Sequence, residues 1–370
     1  MSRWLRDFFA NETTGGIIML LAAVAAMAMV NSAAQPHYLA FIHAALPGGI
    51  DAHFAIADIL MPIFFLFVGL ELKHEMSHGA LALPSQRLLP LIAAVGGIVL
   101  PALLYLGITQ GEPGLASGWA IPTATDIAFA ICVVNLAGKR VPAAAKIFLL
   151  AIAIYDDLAA IIIIALFYSD GLALMPLAGA AAVLAAMIAG NYFTAARPLP
   201  MLLLGLLLGF LLHAAGIHTT VAGMVTGLCI GKLYVKNTAH QLHPFVAFGI
   251  LPLFAFASAG VDFTGLTPSA LLSPLPLGIA AGLFIGKQLG IFGATLLAVR
   301  MGVARLPDAT SPRTLYAIAT IAGIGFTMSL FIGQLAFSDA AHQHALKLGV
   351  LAGSACSAIA GLALLRVGRN

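Results

Sequence analysis

The chain has 370 residues, of which 61% are hydrophobic and only 8% are charged, with a formal net charge of +3. Soluble domains carry about 25% charged residues, so this composition excludes a soluble globular protein and indicates an integral membrane protein. The length allows roughly a dozen short-looped crossings at about 20 residues each. Cys132, Cys229 and Cys356 all fall in apolar runs, so we interpret them as packing residues rather than a disulfide framework or a metal site.

Apolar runs separated by short polar or Pro/Gly breaks predict about twelve transmembrane helices, which makes the fold class an all-α integral membrane protein. The run Gly15–Val30 behind Arg3 and Arg6 has features of a signal peptide, but the acidic residues Asp7 and Glu12 favour a retained first helix. We number the predicted spans 1 to 12: 13–32, 58–77, 88–108, 119–137, 143–168, 174–193, 199–214, 217–234, 244–261, 274–298, 315–336 and 345–366.

Lysine and arginine are distributed asymmetrically over the loops between these spans. The loops on one side contain none of them, and three lysines, Lys146, Lys287 and Lys347, lie within or at the edge of spans. Cytoplasmic loops carry an excess of basic residues, so we expect both termini to be cytoplasmic. The other fourteen basic residues share one side: Arg3, Arg6, Lys73, Arg87, Lys139, Arg140, Arg197, Lys232, Lys236, Arg300, Arg305, Arg313, Arg366 and Arg369.

A weak internal repeat relates the two halves of the chain. Spans 3 and 10 share a Leu-Pro-Leu sequence, and the spans that follow them are both interrupted, by Pro122 in span 4 and by Gly323 and Gly325 in span 11. Paired interruptions in two halves indicate an inverted-repeat transporter whose binding site lies at the breaks. We predict inverted repeats of spans 3–5 and 10–12, in which spans 4 and 11 are interrupted. Residues 1–370 then form one transporter domain, in which spans 3–5, 11 and 12 with span 10 are the core and the other spans are scaffold or interface.

Two adjacent carboxylates, Asp156 and Asp157, lie in the middle of the apolar stretch Ile147–Tyr168. An acidic residue at the bilayer centre costs at least about 2.5 to 3.5 kcal/mol. A structural ion pair with Lys287 of span 10 explains one aspartate, but one lysine neutralises only one carboxylate. The pair therefore indicates a site for a small hard cation, for protons, or for each in turn.

Other polar residues near the breaks have more than one interpretation. Asp126 follows the break in span 4, where it either balances the positive ends of broken helices or binds the ion. Thr123 and Thr125 either supply oxygen ligands or cap the backbone. At the end of span 2, Glu71 and Glu75 share one helical face, which suits either a helix anchor or an acidic, titrating rim.

Histidine is the side chain that titrates near neutral pH, and His218, His240 and His243 lie near spans 8 and 9. Each of them is either a pH-responsive group or an ordinary loop or packing residue. Asp58, at the outer start of span 2, is interpreted as an N-terminal helix cap.

Several stretches of the chain resemble the bacterial NhaA family of sodium/proton antiporters along nearly the whole length. This family is itself a standard example of the inverted-repeat transporter fold. The stretches that carry the resemblance are Phe64-Phe65-Leu66-Phe67-Val68-Gly69-Leu70-Glu71, Gly118-Trp119-Ala120-Ile121-Pro122-Thr123-Ala124-Thr125-Asp126-Ile127-Ala128-Phe129, Ala153-Ile154-Tyr155-Asp156-Asp157-Leu158, Leu251-Pro252-Leu253-Phe254-Ala255-Phe256-Ala257, Gly286-Lys287 and Gly323-Ile324-Gly325-Phe326-Thr327-Met328-Ser329.

The resemblance implies electrogenic, pH-regulated exchange of cytoplasmic Na+ or Li+ for external protons across the bacterial inner membrane, without an enzyme activity or a cofactor. It implies twelve spans in which the interrupted spans 4 and 11 cross, with Asp126 at the crossing. It further implies that Asp156 and Asp157 are the ion- and proton-binding pair and that Lys287 pairs with the first of them. It also implies pH-related roles for a further set of residues: Glu71, Glu75, His218, His240 and His243.

The sequence departs from the family at three places. His74 and Ala239 stand where an arginine and a pH-linked glutamate are found in the family, so we expect a shifted or less steep pH profile. The loop around residues 46–51 is shorter than the family's dimerising β-hairpin, so we expect the hairpin to be reduced or absent and any homodimer to form with a shortened loop. The expected partners are Na+, Li+, H+ and membrane lipid, and not nucleic acid.

Two alternatives share some of these features. A Na+-coupled solute symporter would have the same architecture, but no extra polar cluster requires an organic substrate. An intramembrane aspartyl protease would use motifs similar to Tyr155-Asp156 and Pro101-Ala102-Leu103, but the chain contains no Gly-x-Gly-Asp sequence and the order of the two motifs is reversed.

Overall fold

The computed structural model describes residues 12–45, 51–79, 81–82, 84–169, 171–193, 196–264 and 266–367. Over these residues the regular elements are all helical, and strand-like pairing is limited to one isolated antiparallel bridge between Ala45 and Asp51. The all-α prediction is therefore confirmed. The predicted loss of a hairpin concerns residues 46–50, which lie outside the described part of the chain.

Every predicted span corresponds to a helix or to a pair of helices. In the described residues, eight helices are long and apolar enough to cross a membrane, or ten if each bent pair counts as one span, and spans 7 and 8 are shorter, with 17 and 10 residues. In span order the helices are Glu12–Val30, Ala55–His78, Pro84–Ile108, Leu115–Thr123 with Ile127–Leu136, Ala143–Phe167, Leu174–Phe193, Pro198–Ala214, Thr220–Cys229, Lys232–Ala259, Pro274–Arg300, Pro312–Ile321 with Phe326–Ala336, and Ala340–Val367.

The end of span 8 differs from the sequence prediction. The helix stops at Cys229, because Ile230 and Gly231 have extended backbone angles, and a new helix begins at Lys232. The predicted loop 235–243 is therefore helical and forms the first part of span 9. The apolar residues after Cys229 concealed this break in the sequence.

The interpretation of Asp58 as a helix cap was wrong. The N-terminal cap of this region is Asp51, whose side chain accepts a hydrogen bond of 2.7 Å from the backbone N–H of Phe54. Asp58 lies seven residues further on, inside a π-helical turn, Ala55–Leu60. Asp51 precedes the apolar run. The sequence prediction placed the cap at the start of that run and therefore too late in the chain.

The chain divides into two compact units. The first unit contains residues 1–40, 84–160 and 255–370, and the second contains residues 41–83 and 161–254. The first unit holds spans 1, 3, 4, 10, 11 and 12 with most of span 5, which includes the spans predicted to form the transporter core. The assignment of one transporter domain to the whole chain stays a prediction.

Spans 3 and 10 of the first unit approach each other through glycine. A Cβ atom added to Gly96 would lie 2.3 Å from the carbonyl oxygen of Gly290, and one added to Gly290 would lie 2.2 Å from that of Gly96. Real Cβ atoms do not approach other atoms so closely, so only glycine lets the two backbones touch. This close packing brings span 10, with Lys287, against span 3.

Spans 2 and 8 of the second unit pack in the same way. A Cβ atom on Gly69 would lie 2.3 Å from the carbonyl oxygen of Met224, and one on Gly223 would lie 2.1 Å from that of Pro62. The short span 8 thus packs directly against the helix that carries Glu71. Any larger side chain at Gly69 or Gly223 would separate the two helices.

Candidate functional site

Spans 4 and 11 are both broken, and their breaks meet in the first unit. The two helices of span 4 are bent by 43°, and those of span 11 by 44°. The backbone N–H of Asp126 in the first break donates a hydrogen bond of 2.7 Å to the carbonyl oxygen of Ile324 in the second. Paired half-helices leave unsatisfied backbone groups and partial charges at their ends. The side chains at the breaks must therefore compensate four helix ends in a small volume.

The carboxylate of Asp126 caps two of these helix ends at once. One oxygen accepts a hydrogen bond of 2.9 Å from the N–H of Phe129, at the start of Ile127–Leu136. The other accepts bonds from the backbone N–H of Thr327, at 3.1 Å, and from the Thr327 hydroxyl, at the start of Phe326–Ala336. A negative charge at two helix N-termini is electrostatically favourable. Of the two interpretations left open, this geometry corresponds to the balancing one.

Asp156 lies between a cation and a hydroxyl. Its Oδ2 atom accepts a hydrogen bond from the Lys287 ammonium, and both side chains are fully buried. The Thr125 hydroxyl oxygen lies 2.7 Å from the same Oδ2 atom and also 2.7 Å from the carbonyl oxygen of Ala322, at the end of Pro312–Ile321. A hydroxyl has one proton to donate, so Thr125 serves either the carboxylate or the helix end at any moment.

Asp157 takes no part in these hydrogen bonds. The residue is 1% exposed, and neither of its carboxylate oxygens accepts a hydrogen bond from any residue that the structure describes. The Oδ1 atom of Asp156 is likewise buried and without a hydrogen-bond partner there. A buried carboxylate is costly unless a cation or a proton neutralises it. Three buried carboxylate oxygens of the pair thus accept no hydrogen bond from the described residues.

Several hydroxyl groups at the crossing were not singled out from the sequence as site residues. Ser329 donates a hydrogen bond of 2.7 Å to the carbonyl oxygen of Ile121, and Ser354 of span 12 accepts one of 3.1 Å from the N–H of Phe326. Ser329 was part of a family-like motif, whereas Ser354 had no local signal. Thr123 bonds to a carbonyl within its own helix, which is the backbone-capping alternative.

The residues with expected pH-related roles lie in the second unit. Glu71 and Glu75 are half-buried in span 2, His240 is exposed, and the ring of His243 lies 5.9 Å from the ring of Phe67. These residues belong to helices Met61–His78 and Lys232–Phe245.

His218 has a carboxylate partner that the sequence did not indicate. Its Nε2 atom lies 3.2 Å from the Asp58 carboxylate, and its Nδ1 atom lies 2.9 Å from the Thr220 hydroxyl. The sequence could not indicate this contact, because the two residues are separated by 160 positions along the chain.

Lys73 is a second buried lysine. Its ammonium donates hydrogen bonds to the carbonyl oxygens of Leu228, at 2.8 Å, and Ile230, at 2.5 Å, and lies 3.4 Å from the Asn191 side chain. A cation at a helix C-terminus stabilises the carbonyls that end there. The sequence placed Lys73 only among the basic residues of one side, whereas its ammonium lies at the C-terminal end of the short span 8.

No group of three His, Cys, Asp or Glu side chains suited to a resident metal ion occurs among the described residues. The oxygen-rich environment of the aspartate pair consists instead of two carboxylates with a hydroxyl beside them. Such hard oxygen donors suit alkali cations and protons rather than the transition metals held by nitrogen and sulfur.

Comparisons with known proteins give one consistent family. The family model described as Na+/H+ antiporter 1 matches residues 6–365. The chain is 48% identical to Na(+)/H(+) antiporter NhaA 1 of Pseudomonas savastanoi pv. phaseolicola, covering 98% of this chain and 95% of that protein. It is 47% identical to Na(+)/H(+) antiporter NhaA of Caulobacter vibrioides, with 98% and 90% covered, and 47% identical to that of Mesorhizobium japonicum, with 97% and 94% covered.

Proposed function

The chain belongs to the Na+/H+ antiporter 1 family, and on this basis we propose that it exports cytoplasmic Na+ or Li+ in exchange for external protons. We further propose that the exchange is electrogenic and regulated by pH, and that it serves sodium and pH homeostasis at the bacterial inner membrane. Membrane-spanning helices and the family assignment support the membrane location.

The observation that carries this proposal is the state of the aspartate pair. Asp157 is buried, and neither of its carboxylate oxygens has a hydrogen-bond partner among the described residues. One oxygen of Asp156, Oδ1, also lacks such a partner. A carboxylate in this environment requires a positive partner. Na+ and H+ compete for the same oxygens, so a site that opens alternately to the two faces exchanges one for the other.

The pair also supports net charge movement. Two carboxyl groups carry up to two protons, whereas charge neutralisation of one free aspartate needs only one monovalent cation. Lys287 neutralises Asp156 when that residue is ionised, and Thr125 adds a hydroxyl beside it. We assign Asp156 and Asp157 to ion and proton binding, with Lys287 and Thr125 as the hydrogen-bond partners of Asp156 and Asp126 as the residue that joins the two breaks.

For pH regulation we propose Glu71, Glu75, His218, His240 and His243. Support comes from their titratable side chains and from their partial or full exposure in the second unit. Because His74 and Ala239 replace charged residues of the family, the dependence on pH is expected to be shifted or less steep than in members that keep them. We also propose cytoplasmic termini, on the basis of the one-sided distribution of lysine and arginine.

Replacing Asp157 by Asn tests the proposal directly. The amide keeps the shape but cannot carry the charge or the exchanged proton, so sodium-dependent proton movement in proteoliposomes should fall at least about a hundredfold, as when a buried charge contact worth about 3 kcal/mol is lost. Asp339→Asn is the matched control, because Asp339 is 53% exposed and outside the spans. Full exchange by folded Asp157→Asn would refute the assignment, and sodium flux that requires an organic solute would favour the symporter.

A further inference from the structure

Span 10 contains a π-helical turn, Gly282–Gly286, directly before Lys287. The backbone N–H of Lys287 bonds to the carbonyl oxygen of Gly282, five residues earlier, instead of four as in an α-helix. A π turn inserts one residue into the helix, and one residue corresponds to a rotation of about 100° around the axis. The direction in which Lys287 leaves the helix therefore depends on whether this turn is kept.

The turn packs closely against two prolines of neighbouring spans. A Cβ atom on Gly286 would lie 2.7 Å from the Cα atom and 3.0 Å from the N atom of Pro101 in span 3. A Cβ atom on Gly282 would lie 2.6 Å from the Cβ atom of Pro122, at the break in span 4. The Pro101 contact is with backbone, which has no rotamer to change. Any side chain at Gly286 must therefore push span 10 away from span 3.

A buried amide holds the turn from another side. Gln288 is 7% exposed. Its side-chain nitrogen donates a hydrogen bond to the carbonyl oxygen of Phe284 within the turn. Its side-chain oxygen lies 3.4 Å from the Thr320 hydroxyl of span 11. The stem of Lys287 passes Gly97, where an added Cβ atom would lie 3.6 Å from the Lys287 Cδ atom. Spans 3, 4 and 11 thus all restrain the short segment that presents the lysine.

We propose that the π turn Gly282–Gly286 aims the Lys287 ammonium at Asp156, and that Gly286 and Gln288 are the positioning residues that hold this turn. The inference rests on the proposed function only in that exchange activity provides its readout. Neither residue contacts the aspartates in the described contacts; each acts through Lys287.

The expected effect follows from the geometry of the ion pair. A methyl group at Gly286 moves the start of the helix away from Pro101, and the ammonium moves with it. At an effective dielectric constant of about 20, a shift of about 1 Å from ion-pair contact changes the interaction enough to move a pH midpoint by about one unit. The shift is toward alkaline pH, because a weaker ammonium contact lets protons compete better for Asp156.

The test compares Gly286→Ala with Gly293→Ala on the same helix. Gly293 has no atom within 4 Å of an added Cβ, so the two variants share the chemical change and the gain in helix propensity but differ in contact. Sodium-dependent proton movement is measured in proteoliposomes across pH, with Lys287→Ala as a reference for direction. Gln288→Leu is measured in parallel, as a variant that loses the amide without adding bulk at Pro101.

Gly286→Ala should move the half-maximal pH by about one unit in the direction of Lys287→Ala, Gln288→Leu should move it the same way by about half a unit, and Gly293→Ala should leave it in place. An unmoved midpoint in folded Gly286→Ala, or an equal shift in Gly293→Ala, overturns the proposal. If size-exclusion shows that Gly286→Ala does not fold, an unmoved Gln288→Leu overturns it. Absence of exchange by the unchanged protein would instead refute the proposed function.

Discussion

Replacing Asp126 separates the two roles that a carboxylate at the crossing of spans 4 and 11 can have. If it caps helix ends, its loss affects stability more than ion exchange, and Asn, which keeps one acceptor oxygen, is tolerated. If it binds the transported ion, Asn abolishes exchange in a folded protein. The hydrogen bonds to Phe129 and Thr327 lead us to expect the first outcome.

The magnitudes follow from those contacts. Asp126→Ala loses the cap of Ile127–Leu136, worth about 0.5–2 kcal/mol, and leaves the Thr327 N–H buried without an acceptor, worth about 1–3 kcal/mol. The sum is a loss of about 1.5 to 5 kcal/mol. Asp126→Asn keeps the acceptor for Phe129 and loses only the second contact, so its effect is about 1–3 kcal/mol. The Thr327 hydroxyl is left out of the sum, because it can rotate to another acceptor.

Thermal unfolding of purified protein in detergent, followed by size-exclusion, measures this order of stability. Ser311→Ala is the control, because Ser311 caps Pro312–Ile321 through exposed contacts: its Oγ atom accepts a hydrogen bond of 3.1 Å from the N–H of Thr314 and lies 2.9 Å from the Thr314 hydroxyl. Exchange in proteoliposomes is measured on the same preparations. A capping role for Asp126 is refuted if Asp126→Ala is no more destabilising than Ser311→Ala, or if folded Asp126→Asn has lost sodium-dependent proton movement.

Variants at two further residues, Thr125 and Lys73, address the other buried polar contacts. Thr125→Val should raise the sodium concentration for half-maximal exchange by about tenfold, because a buried hydrogen bond to Asp156 worth about 1–2 kcal/mol is lost. Thr125→Ser keeps the hydroxyl and should therefore leave that concentration close to the value of the unchanged protein. Equal behaviour of the Val and Ser variants would contradict the role of the hydroxyl. Lys73→Met should lower the stability by about 1–3 kcal/mol, since it removes the donor for carbonyls at the end of Thr220–Cys229. Thermal unfolding measures this, and an unchanged midpoint would show that the ammonium does not hold that helix end.

The breaks at the crossing were predictable from the sequence because their causes are local. Pro122 lacks a backbone donor, and Gly323 and Gly325 weaken helix propensity within an apolar run, so both interruptions are visible without any tertiary information. The buried aspartate pair was predictable for the same kind of reason, since charge in the middle of a membrane-spanning run is rare.

Other features depend on contacts between distant residues and had no local signal. Ser354 caps a helix that begins 28 residues earlier, and Lys73 bonds to carbonyls more than 150 residues away. The π-helical turns also escaped prediction, because the apolar runs continue through them and the extra residue is accommodated by packing. The end of span 8 at Cys229 was missed because apolar side chains continue past it.

The contact between Asp126 and Thr327 joins segments that lie 201 residues apart in the chain. During synthesis the first of these segments enters the bilayer long before the ribosome has made the second. Until then a broken helix has exposed peptide groups in hydrocarbon, where lipid offers them no hydrogen bonds. Nascent chains that stop before span 11 therefore retain an unfinished first half, and assembly of the crossing is a late, joint event of both halves.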